Sequence, residues 1–196
     1  MGSLVAGNEG LMPLDINGLL KYLEATGLAT KIRDSLFLFP LIESTHVLGL
    51  ALVFGTIAII DLRLLGIAST ERSFQRMASD ILKWTWGAFA LTAVTGALMF
   101  ITNASVYYHN FFFRTKMVLL VLTGINMLCF ELTAGRTIHG WDQAPSAPRA
   151  GKAVAVLSLT LWIGIICVGR MIGFTTTRAA AAPPPPAGVS FDDFLK

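Results

Sequence analysis

Residues 43–66 read ESTHVLGLALVFGTIAIIDLRLLG. No residue between His46 and Asp61 is charged, and back to Ser35 the only charged side chain is Glu43. About twenty predominantly apolar residues are enough for one helix to cross a hydrocarbon core of roughly 30 Å. The stretch therefore reads as a membrane span of about 35–60, closed by Asp61 and Arg63, with a polar loop, STERSFQRMASD, after it. Asp34 or Ser35 can cap its start, and Pro40 either begins the regular helix or kinks it.

Three more blocks of this kind follow. They cover about 81–102, 111–132 and 153–174. Trp84 and Trp86 mark one interface of the second, and Tyr107 and Tyr108 lie beyond the other. The chain is 54% hydrophobic and 14% charged, with mean hydropathy +0.66. A soluble domain of this size carries about a quarter charged residues. The net charge of +3 comes without a basic stripe interleaved with aromatics, so no nucleic-acid partner is expected. Cys129 and Cys167 both fall inside apolar blocks, which argues against a disulfide framework and reads as two small buried side chains.

The fold expected is all-α: a transmembrane four-helix bundle over 35–175, preceded by an N-terminal segment, 1–34, and followed by a Pro-rich tail, 176–196. The opening residues lack a basic region and a long apolar core, so the first span serves as the insertion signal. Within 14–33, Leu19, Leu20, Leu23 and Leu28 recur at helical spacing between charges. That pattern fits an amphipathic helix in the membrane interface equally with one packed on the bundle. Four consecutive prolines make the tail a spacer, and SFDDFLK at its end reads either as a frayed terminus or as a docking tag for a partner subunit. Small residues support close helix packing in lipid, Gly49, Thr92, Gly96, Gly169 and Gly173 among them.

An even number of spans puts both termini on one face, side A, with the 103–110 loop; side B holds the 61–80 and 134–152 loops. Side B carries more Lys and Arg, which favours it as the cytoplasmic face and makes the termini periplasmic.

Ionisable groups inside a bilayer cost roughly 2.5–3.5 kcal/mol each on insertion scales, so they face the interior or reach an interface. Glu43, His46, Lys116 and Arg170 all fall in the side A leaflet, on three different spans. His46 is about ten residues deep, roughly 15 Å, too far to snorkel. A neutral imidazole in an apolar bundle suits haem iron as an axial ligand. Gly49, one turn away, leaves room for a flat macrocycle, and Lys116 and Arg170 are placed to pair with its propionates. The haem would be five-coordinate, or completed by Lys116, by His109 in the side A loop if that loop folds inward, or by a substrate. On side B, Asp61, Arg63, Glu131, Arg136 and Asp142 read as cross-loop ion pairs, and Asn126 as a bond between helices.

ESTHVLGLALVFGTIAIIDLRLLG and FRTKMVLLVLTGIN, with Trp141–Asp142 and WIGIICVGRMIGF, resemble an uncharacterised bacterial four-helix integral membrane family over most of residues 15–175. The arrangement is more distantly similar to HemJ-type protoporphyrinogen oxidase, which binds haem b, and to CopD-type membrane domains. His46 and Lys116 match a first-span histidine and a third-span lysine of the oxidase. Where the oxidase has a later histidine in that span, this chain has Asn126 and Glu131, and it lacks the tryptophan and lysine before the first histidine. The resemblance implies haem-b binding at His46; with the shared depth of His46, Lys116 and Arg170 it gives the expectation of an inner-membrane haem-b electron-transfer or redox subunit, and the tail that of a partner membrane or periplasmic redox subunit. The alternatives are a copper or small-solute permease using Glu43 and His46, and a cofactor-free accessory subunit.

Overall fold

A computed structural model describes residues 15–181, with side chains to Thr176. The docking-tag expectation falls on 190–196 and lies outside the described residues. The described residues are helical throughout, with no strand: α1 Ile16–Glu24, α2 Gly27–Asp34, α3 Leu38–Leu65, α4 Phe74–Thr102, α5 Ala104–His109, α6 Phe111–Leu132 and α7 Arg149–Ala181, with a short 3-10 helix at Gly135–Gly140. α3, α4, α6 and α7 are long and apolar enough to cross a membrane. The protein is a multi-span membrane bundle.

Local chemistry sets the helix ends. Pro40 lies in the first turn of α3, where its missing N–H has no partner to lose, so it starts the helix without bending it. α3 stops at Gly66, whose φ of +79° is left-handed; its N–H donates to the Arg63 carbonyl and that of Ile67 to Leu62. Asn110 Oδ1 caps α6 by accepting from the N–H groups of Phe112 and Phe113 at 2.9 and 3.2 Å. α4 is 29 residues, about 44 Å, so it stands clear of the hydrocarbon on side B well before Trp84.

The amphipathic N-terminal segment is two helices. Thr26 breaks it, donating to the Leu23 carbonyl and capping α2 through Ala29 N–H. α1 and α2 bury Leu20, Ala29 and Ile32 against the side A end of the bundle, while Ile16, Leu19, Tyr22 and Leu28 stay exposed. The segment thus packs on the bundle with one row, the second of the two alternatives left open by its periodicity, and leaves another apolar row exposed. Glu24 accepts the N–H of Ser105 at 2.7 Å, and Arg33 donates to the Thr102 carbonyl at 3.2 Å, so both helices cap the α4–α5 corner.

The bundle is two hairpins. α3 packs on α4 and α6 on α7, and the hairpins are joined along α3 and α7. α4 and α6 scarcely touch, apart from an aromatic cluster near side A where Phe100 stacks on Phe113 at 5.4 Å beside Tyr107. Val53, Ala88, Trp162 and Ile165 form the buried centre. Gly49 and Gly96 permit the tight α3–α4 seam: a methyl at Gly49 would lie 2.6 Å from Thr92 Oγ1, and one at Gly96 would lie 3.0 Å from His46 Cε1. Cys129 and Cys167 are free thiols, exposed on spanning helices, so the reading of them as buried side chains is corrected.

Candidate functional site

His46 sits eight residues inside α3, about 12 Å from its start. Its Nδ1 is 3.0 Å from the Thr92 carbonyl oxygen and 3.1 Å from Thr95 Oγ1. The Thr95 hydroxyl already donates to Leu91 O, so both neighbours accept from the ring and Nδ1 carries the proton. That leaves Nε2 with its lone pair and no partner among the described residues. Fixing the ring by a bond from the far nitrogen to a carbonyl is how ligating imidazoles are held.

Lys116, five residues into α6, is half-buried. Its stem lies against Gly169 of α7, with Nζ 3.7 Å from where a methyl would stand. No hydrogen bond or ion pair engages this ammonium among the described residues, and its charge acts on the His46 ring. The structure therefore brings His46 and Lys116 within electrostatic reach from different hairpins. The other three expected site residues are elsewhere. Arg170 is exposed, with its guanidinium 5.3 Å from the Phe174 ring centroid. Glu43 is exposed and acts on Tyr107, whose phenol is pushed up by burial first and by that carboxylate second. His109 is exposed, its Nδ1 bonded 2.8 Å from the Ser105 carbonyl of its own helix. The room expected at Gly49 is filled by Thr92.

Side B is a polar knot. Arg63 is fully buried, 0% exposed, and donates to the carbonyls of Arg72, Asp142, Ala144 and Pro145 at 2.9–3.4 Å. Trp141 packs on Phe74 at 5.1 Å and donates its indole N–H to Ala134 O. The Asp142 carboxylate accepts from the Ser73 hydroxyl at 2.6 Å and from Gln75 N–H at 2.7 Å, capping α4 from a distant loop. The cross-loop ion pairs expected among Asp61, Arg63, Glu131, Arg136 and Asp142 are corrected. The one ion pair among the described residues is Arg33–Asp34 at 3.8 Å. Arg63 uses all three of its guanidinium nitrogens on loop carbonyls, because a planar fork meets several of them at once. Asn126 bonds between helices as expected, its amide donating to the Val154 carbonyl at 3.1 Å.

Asp142 has a pH consequence. The Ser73 hydroxyl, then Gln75 N–H, with weaker help from the Arg63 and His139 charges, hold its carboxyl below the usual range. A carboxyl depressed by folding adds stability that is complete above its unfolded value, near pH 4, and disappears as pH falls through the folded value. Thermal unfolding in detergent should show the midpoint dropping as pH falls below about 4, with a shallower drop in Asp142→Asn.

Four spanning helices, a carbonyl-bound arginine sealing one end and a half-buried imidazole and ammonium toward the other define a small polytopic membrane protein with an internal polar pair. Residues 29–175 match the family of unknown function DUF6644, and the chain belongs to it. No curated protein and no solved structure matches the chain.

Proposed function

We propose that this protein is a membrane redox subunit that holds a b-type haem through His46. The observation that carries the reading is the His46 ring: Nδ1 tied to the Thr92 carbonyl, Nε2 without a partner among the described residues, and the charge of the Lys116 ammonium acting on it. Among the described residues no group of three or more His, Cys, Asp or Glu side chains converges. A bare metal ion therefore has few donors here, whereas a macrocycle brings its own four nitrogens and asks only for an axial one. The haem would supply one-electron chemistry at iron. His46 would hold it, and Lys116 is the cation available to a propionate.

The experiment is an absorption spectrum of the detergent-purified protein from cells supplied with haem. The wild type should show a Soret band that His46→Ala abolishes and that Lys116→Ala shifts or weakens. A colourless wild type, or a band unchanged in His46→Ala, rejects the reading. The close contact of the ring with Gly96 favours a second reading, in which His46 pins α3 to α4 and the protein is a cofactor-free subunit. That reading expects no pigment and a large fall in melting temperature in His46→Ala.

A further inference from the structure

Asp61 stands apart from everything above. It lies one turn from the end of α3, is 5% exposed, and its Oδ2 has no hydrogen-bond partner among the described residues. Arg63 is close in sequence but is bonded to loop carbonyls. From α7 the Ser158 hydroxyl, 7% exposed, bonds the carboxyl. One turn further along α7, Trp162 is 4% exposed and its indole N–H also has no partner.

Among the described residues no charged group of α4, α6, α7 or the side B loops acts on Asp61. From α6 the nearest polar contribution to the α7 seam is the Asn126 amide, spent on Val154. On α4 the buried Thr85 hydroxyl donates to Ile81. Nothing therefore balances a carboxylate, and an unpaired buried charge is far more costly than the neutral acid. Two further facts point to an occupant. A buried acceptor on α3 and a buried donor on α7 are both unmet, and buried polar groups in folded proteins are rarely left so. Water can accept from an indole and donate to a carboxyl oxygen, and buried water characteristically settles where several such groups go unsatisfied.

We propose that Asp61 is a membrane-embedded proton-binding site, exchanging its proton with side B through water held in the α3–α7 seam beside Ser158 and Trp162. The ligand is the proton: the acid releases it to water as hydronium, and the carboxylate takes it back. This stands independently of haem, since it concerns the opposite end of the bundle.

The test is infrared spectroscopy of the full chain in lipid vesicles, with carboxyl-labelled aspartate. At neutral pH a carboxylic acid C=O band should be present. It should move with the isotope, shift down in D2O and vanish in Asp61→Asn. Trp162→Phe, which keeps the aromatic ring and removes the donor, should shift the band. Absence of an isotope-sensitive acid band at neutral pH overturns the proposal, because Asp61 is then ionised. So does a band that survives in Asp61→Asn, or one indifferent to D2O, which would mark a sealed acid. If Asp61→Asn fails to fold, a pH titration of the labelled wild type reads the same group, since exposed aspartates are already ionised.

Discussion

Replacing Arg63 by alanine should lower stability by about 4 kcal/mol and collapse side B before the spans themselves separate. The guanidinium joins the loop after α3, at Arg72, to three carbonyls of the 142–145 turn, and no water reaches it. Hydrogen bonds from a charged donor contribute roughly 1.5–3 kcal/mol each, and the released carbonyls recover part of this when water enters from side B. The same turn carries Trp141 and Asp142, so the loss spreads to the Phe74 contact and to the cap on α4. Arg63→Lys should recover little, because one ammonium cannot present a planar fork to carbonyls on two sides. Thermal unfolding in detergent, with limited proteolysis mapped to 66–73 and 133–148, checks this. Proteolysis that begins in the side A loop instead would show that the arginine is not what holds side B.

The second large effect belongs to the α3–α4 seam. Gly49→Ala should destabilise by about 1–3 kcal/mol, the usual range for a methylene forced into a packed site. The new methyl meets Thr92 Oγ1 at 2.6 Å, and this oxygen cannot swing aside freely because it donates to Ala88 O at 2.8 Å. The discriminating measurement is the double variant. Thr92→Ala removes the obstructing atom, so Gly49→Ala with Thr92→Ala should regain most of the loss. A coupling of at least about 1 kcal/mol is expected, and additive losses would show that the two helices do not meet there. The Thr92 carbonyl also holds His46, so Gly49→Ala alone should disturb the ring.

The spans were legible because lipid imposes them. Runs free of charge around residues 47–60 or 153–169 have no other physical use, and each is a spanning helix. His46 and Lys116 were legible as a pair by counting depth from the same face, which is one-dimensional information. Counting fails at the third dimension. Arg170 lies at a similar depth but projects outward over Phe174, since depth says nothing about azimuth around the helix. The role of Gly49 was missed for the same reason, because small residues can admit either a cofactor or a neighbouring helix. Side B was the least legible. Charges of both signs suggest ion pairs, whereas Arg63 answers backbone carbonyls, which sequence does not display. The signal available was the arrangement itself, an arginine at the end of a span with a Trp–Asp pair in a distant loop. The split of the N-terminal helix turned on Thr26, a capping residue hidden within a continuous periodic pattern.

The weak contact between α4 and α6 has a mechanical meaning. Two rigid hairpins share one line of attachment along α3 and α7, clasped on side B by the Arg63 knot and on side A by stacked rings. Between those clasps α4 and α6 leave one flank of the molecule with little contact between helices. His46 and Lys116 come from different hairpins, so loosening either clasp should alter their spacing without changing either residue.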